Sequence, residues 1–152
     1  MKPVLTAAAA LLAAASPALA QEMQTSEHLK TWVLEDAAFD DVAFDLKLAV
    51  EGRGLVVDHI SHVGEMLNRT AADVGATMQV YDHAQVIQFC SATVSRGVME
   101  ADPLNIAWCP YGIFLFQETG AEGVTVGFRR MPAGLESVEA LLTGIIEEAT
   151  GF

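Results

Sequence analysis

Residues 84–117 decide the fold, and they read AQVIQFCSATVSRGVMEADPLNIAWCPYGIFLFQ. The first seven residues, 84–90, are rich in Val, Ile and Phe and predict a β-strand. A helix should follow, capped by a hydroxyl side chain and ended by Asp102-Pro103, because the residue before a proline disfavours the helical region. The apolar run 106–117 predicts a long second strand. This stretch is therefore predicted to form a strand–helix–strand unit.

The same alternation extends outward in both directions. β-prone runs predict strands over 29–34, 55–63 and 124–130, and apolar residues at helical spacing predict helices over 39–50, 64–75 and 135–149. The predicted order is β-α-β-α-β-α-β-β-α, with a hairpin near the end. We expect a two-layer α+β domain, with a mixed β-sheet and the helices on one face.

The first 20 residues have the pattern of a secretory signal peptide. They combine a cationic start at Lys2, an apolar run over 4–15 and an Ala-Leu-Ala end. This run is shorter than the roughly 18–20 residues that span a bilayer. We expect cleavage after Ala20, a flexible entry over 21–28, a single domain over 29–152, and a periplasmic or secreted location without membrane insertion.

The chain is strongly acidic, with 20 Asp and Glu against 8 Lys and Arg and a net charge of −12 at pH 7. Such a charge repels nucleic acid and anionic lipid, so neither is expected as a partner. The sequence has no Gly-x-Ser-x-Gly elbow, which leaves hydrolase chemistry with little support. Gly52-Arg53-Gly54 follows a predicted helix and lacks a third glycine, so it is interpreted as a helix stop rather than a phosphate loop.

Three short motifs resemble the family called domain of unknown function 302. They are FCSA at 89–92, MEADP at 99–103 and CPYGI at 109–113, and Asp58-His59 is similar to an Asp-His pair that many members carry. The resemblance covers 32–131. Its first and last motifs differ from the Cys-Asn-Pro and Pro-Cys-Asn of many members, which is typical of a secreted, two-cysteine branch. The resemblance implies a small α+β domain and no established activity.

Cys90 and Cys109 are the only cysteines, and we expect an oxidising compartment. One interpretation is a structural disulfide closing a loop of about 20 residues and contributing about 3 kcal/mol. The others are two separate buried thiols, or a functional pair that serves as a redox centre or ligates a soft metal. The spacing excludes the Cys-x-x-Cys redox arrangement and covalent haem attachment. We expect the two sulfurs to lie close together, on neighbouring strands.

His59 is the leading candidate ligand residue, because it lies in an apolar predicted strand where an unpaired imidazole is costly. A copper ion or haem iron would suit such an imidazole together with sulfur ligands. The candidate sulfur ligands are Cys90, Cys109, Met66 and Met99. In the alternative interpretation, His59 and His62 point to opposite faces and one of them is simply buried and hydrogen-bonded. His83 is expected to be a solvated turn residue outside any site.

Ser91 stands at the predicted strand-to-helix turn, where backbone N–H groups and Arg96 would hold an anion. The simpler alternative is that Ser91 caps the helix. The run 106–117 is apolar on both faces, so we expect a second copy to cover the face that the helices leave open.

Two functions from different classes follow. The leading one is a non-enzymatic secreted binding or accessory module that holds a small ligand, haem or copper near Cys90, Cys109 and His59. The alternative is a thiol-dependent redox or sulfur-handling protein that uses the same two cysteines.

Overall fold

The computed structural model describes residues 21–152, and the predicted signal peptide lies outside them. The strands are β1 (Gln21–Thr25), β2 (Leu29–Leu34), β3 (Val56–Ser61), β4 (Tyr81–Cys90), β5 (Tyr111–Glu118) and β6 (Val124–Arg129). The helices are α1 (Phe39–Gly52), α2 (Val63–Thr70), α3 (Ala92–Ala101) and α4 (Glu136–Thr150), with a 3-10 helix at Pro103–Trp108 between α3 and β5. The predicted α+β class is confirmed. Within 21–152, no helix is long and apolar enough to cross a membrane.

The six strands form one sheet in the order β1-β2-β6-β5-β4-β3, and each neighbouring pair in it is antiparallel. The expectation of a mixed sheet is therefore corrected. β4 pairs with β3 on one side and with β5 on the other, both times in antiparallel register. Antiparallel neighbours need no crossover that returns the chain to the same end of the sheet.

A strand occupies part of the segment 21–28, for which the polar composition predicts a flexible entry. β1 pairs with β2 in a register that places Met23 opposite Trp32. The intervening turn is held by Ser26, whose Oγ accepts a hydrogen bond from the Leu29 N–H at 3.0 Å. An edge strand needs only backbone partners, which β2 supplies, so polar side chains do not prevent pairing.

The strand predicted over 106–117 begins later than expected, at Tyr111, because the 3-10 helix occupies 103–108. Local hydrogen bonds account for the difference. The Asp102 carboxylate accepts a hydrogen bond from the Leu104 N–H at 2.9 Å, and the Asn105 side chain donates to the Val98 carbonyl at 2.8 Å. Such side-chain bonds to the backbone compete with strand pairing.

The core lies between one face of the sheet, here called the core face, and the pair α1–α4. Along β5, Tyr111, Ile113 and Leu115 are buried on this face. The helices contribute apolar residues at helical spacing, which are Phe39, Val42, Leu46, Ala49, Val50, Val138, Leu142, Ile145 and Ile146. This arrangement follows from the amphipathic pattern that predicts both helices.

The opposite face of the sheet, here called the open face, is lined by half-buried residues. They are Thr31, Val33, Val86, Gln88, Gly112, Phe114, Phe116 and Thr125. The Phe114 and Phe116 rings stack with their centroids 6.3 Å apart. None of these half-buried residues carries a charge, although the exposed Arg129 lies at the end of the same face.

Candidate functional site: the disulfide end of the open face

Cys90 and Cys109 form a disulfide, with their Cα atoms 6.4 Å apart. The prediction that the two sulfurs lie close together is confirmed. Of the three interpretations of the cysteines, the structure agrees with the disulfide. Cys90 is the last residue of β4, whereas Cys109 lies between the 3-10 helix and β5 rather than on a strand. The bond therefore fastens the C-terminal end of the 3-10 helix to the sheet.

His59 lies on the open face, not in the core. A β-bulge at Asp58 shifts the register of β3, so Val57 pairs with Phe89 but His59 pairs with Gln88. The extra residue moves His59 to the face opposite Val57, although strict alternation would put both on one face. His59 is exposed, and its imidazole has no hydrogen bond or ion pair within 21–152. Because the His59 imidazole is exposed to solvent, it does not need the buried hydrogen-bond partners that its predicted position in the core would require.

The other two candidate histidines serve local packing. His62 precedes α2, outside the strand in which it was predicted, and its Nδ1 lies 3.5 Å from the Glu65 carboxylate. His83 is exposed as expected but lies within β4 rather than in a turn, and its ring stacks on Phe39 with a centroid distance of 5.0 Å.

The two predicted cysteine ligands do not fit a copper or haem iron site. The sulfurs of Cys90 and Cys109 are bonded to each other, so neither is a thiolate that would ligate a metal. Among residues 21–152, no three His, Cys, Asp or Glu side chains come together as a metal site.

Ser91 and Arg96 do not form a joint anion site. The Ser91 hydroxyl accepts a hydrogen bond from the Val94 N–H at 3.3 Å and caps α3, which is the simpler of the two predicted roles. Arg96 lies a turn further along and faces Glu100 on the exposed surface, with an Arg Nη1 to carboxylate distance of 3.5 Å.

A pocket of about 290 Å³ opens beside the disulfide, at the end of the open face. It is lined by Ala107, Trp108, Pro110, Gly112, Arg129 and Met131. Trp108 and Cys109 are consecutive, so the disulfide holds Trp108 at the pocket. Trp108 is 37% exposed, and the Arg129 side chain makes no hydrogen bond or ion pair with residues 21–152.

Sequence reasoning missed the two pocket residues Trp108 and Arg129. Trp108 falls in the run predicted as a core strand, and its exposure depends on the 3-10 helix. Arg129 lies one residue before the end of the strand predicted over 124–130, and the alternation of β6 places it on the open face. The alternation of β6 could have identified the face on which Arg129 lies. That β6 lies next to the 3-10 helix follows only from the fold.

No protein-family model matches the chain, and no curated protein matches it. Among solved structures, the chain is similar to the uncharacterized conserved protein DUF302 from Bacillus stearothermophilus. The match has a TM-score of 0.65 and 15% sequence identity, and it covers 82% of this chain and 99% of the other. It supports the resemblance to the domain of unknown function 302 family, and the chain shares the fold of that protein.

Proposed function

We propose that the protein is a secreted or periplasmic, non-enzymatic binding module that holds a small ligand at the disulfide end of the open face. The observation that supports this best is the pocket beside the disulfide, where Trp108 offers apolar surface and Arg129 offers an unpaired cation. Ligand pockets combine apolar and aromatic side chains with a few polar groups that fix the orientation of the ligand.

The proposed compartment is supported by the signal-peptide pattern of residues 1–20 and by the disulfide, since such bonds persist outside the cytoplasm. The test is the intact mass of the exported protein. We expect a chain that begins at Gln21. A mass that still includes residues 1–20 would contradict the proposed processing.

The thiol-dependent alternative uses the same two cysteines and is tested separately. A redox catalyst would accelerate the reduction of insulin by dithiothreitol, because its disulfide would exchange rapidly with thiols. We expect no acceleration, since the bond between Cys90 and Cys109 fastens the 3-10 helix and has a structural role. Acceleration that is lost in Cys90→Ser would favour the redox function instead.

The binding surface is tested with 8-anilinonaphthalene-1-sulfonate, a probe that fluoresces on exposed apolar surface and carries one negative charge. We expect saturable binding to the folded protein, weakened by Trp108→Ala. Phe44→Ala is the matched control, because Phe44 is an aromatic residue on α1 that is 61% exposed and is not among the residues lining the pocket. An equal loss of probe binding in both variants, or no probe binding to the wild type, would contradict the proposal.

A further inference from the structure

We propose that the pocket beside the disulfide binds a monocarboxylate with a compact apolar body, and that Arg129 holds the carboxylate. This inference rests on the proposed function and names its ligand class.

Arg129 differs from three other arginines because its guanidinium group has no carboxylate partner. Arg53 reaches the Glu148 carboxylate at 2.8 Å, and Arg130 lies 3.8 Å from Glu139. Arg96 pairs with Glu100. Arg129 is exposed at the end of β6 and has no such partner within 21–152. Its planar fork of N–H donors is therefore available to a carboxylate, which it matches in bidentate geometry.

The other five residues that line the pocket carry no carboxylate, and their side chains are apolar or, at Gly112, absent. Trp108 and Pro110 offer ring surfaces, Met131 is half-buried, and Gly112 leaves the floor without a side chain. A Cβ on Gly112 would lie 3.4 Å from Val86 Cγ1, so the Val86 side chain borders this position on the neighbouring strand. The volume of about 290 Å³ suits a ligand of one ring or a short branched chain.

The charge of the whole chain restricts the ligand further. With a net charge of −12, the protein repels anions at long range, and the repulsion grows with the charge of the ligand. One local cation, Arg129, can offset the repulsion of a single carboxylate. A polyanion would be repelled more strongly, and the residues lining the pocket include no second cation. A monoanion is therefore favoured over a polyanion such as a phosphorylated or nucleic-acid ligand.

The test uses benzoate, its neutral counterpart benzamide and the dianion phthalate, followed through the indole N–H resonance of Trp108. We expect saturable shifts with benzoate, and affinity at least roughly tenfold weaker with benzamide, because a hydrogen bond to a charged group is lost. We also expect phthalate to bind more weakly than benzoate. Arg129→Gln should weaken the affinity for benzoate by a similar factor. Because Arg129 is exposed, this variant is expected to fold normally.

Arg69→Gln is the matched control, because Arg69 is exposed on α2, makes no ion pair within 21–152 and is not a residue of this pocket. We expect it to bind benzoate like the wild type. Equal affinity for benzoate and benzamide, equal loss in both arginine variants, stronger binding of phthalate, or no saturable shift would each overturn the ligand class. If the binding of 8-anilinonaphthalene-1-sulfonate is still weakened by Trp108→Ala in that case, the proposed function stands and only the ligand class is wrong.

Discussion

Ser95 and Tyr111 form a buried polar pair in the core. Their hydroxyl oxygens lie 3.0 Å apart, and the two residues are only 8% and 1% exposed. Ser95→Ala leaves the Tyr111 hydroxyl buried without a partner and should cost about 1–3 kcal/mol of unfolding free energy. Tyr111→Phe should cost about 1 kcal/mol. Urea denaturation measures both.

The double variant of this pair makes the prediction specific. Removing both hydroxyls should cost less than the sum of the single changes, with a coupling of about 1 kcal/mol. Tyr81→Phe is the control, since the Tyr81 hydroxyl makes no hydrogen bond within 21–152, and it should change stability by less than about 0.5 kcal/mol. Additive single changes would mean that the two hydroxyls do not interact.

Gly127 lies at a point where the open face is closely packed. A Cβ at this position would lie 2.6 Å from the Lys30 carbonyl oxygen and 2.7 Å from the Phe114 ring. Gly127→Ala should therefore destabilise the protein by about 1–3 kcal/mol. Gly97, in α3, has nothing within 4 Å of a built Cβ, so Gly97→Ala should stabilise by about 0.5–1 kcal/mol. Thermal or urea unfolding of the two variants compares them, and the same sign for both would contradict this packing.

The residue scale also shows where sequence reasoning stops. Ser91 is identified as an alternative cap before α3 from its type and position alone, because capping is local. The exposure of His59 is not predictable in this way. It depends on a bulge at Asp58, and nothing in the alternation of Val, Ile and Asp signals an extra residue there.

At the scale of elements, the 3-10 helix is the segment that the disulfide controls. The bond joins residues 19 apart, and a loop of this length contributes about 3 kcal/mol by restricting the unfolded chain. We expect the double variant Cys90→Ser with Cys109→Ser to lose about this much stability. Urea denaturation checks it, with reduced wild type as the control. A double variant as stable as the oxidised wild type would contradict the structural role.

The long periodic elements are those that the sequence predicts best. β2 has its predicted limits, α1 and α4 deviate by one or two residues, and α3 is bounded by Ser91 and Asp102 as its capping residues indicate. β1 and the 3-10 helix are not predicted. β1 depends on a hairpin with β2 that its polar side chains do not signal, and the 3-10 helix depends on local bonds from Asp102 and Asn105 within an apolar run.

At the scale of the whole molecule, homodimerisation through the open face stays a prediction. Two copies related by a two-fold axis would bury the stacked rings of Phe114 and Phe116 between two sheets about 10 Å apart. We expect Phe116→Lys to convert a dimer into a monomer in sedimentation velocity. Phe44→Lys, at an exposed position of α1, should leave the dimer unchanged. A monomeric wild type, or equal effects of both changes, would contradict the predicted interface.

The central claim is that the disulfide end of the open face is a binding surface. Its most direct test is an amide chemical-shift map of the folded protein titrated with 8-anilinonaphthalene-1-sulfonate. We predict shifts concentrated at Trp108, Gly112, Arg129 and Met131, with β1, α1 and α4 unaffected. Shifts spread evenly over the chain, concentrated on the exposed face of α1, or absent at saturating probe would contradict the claim.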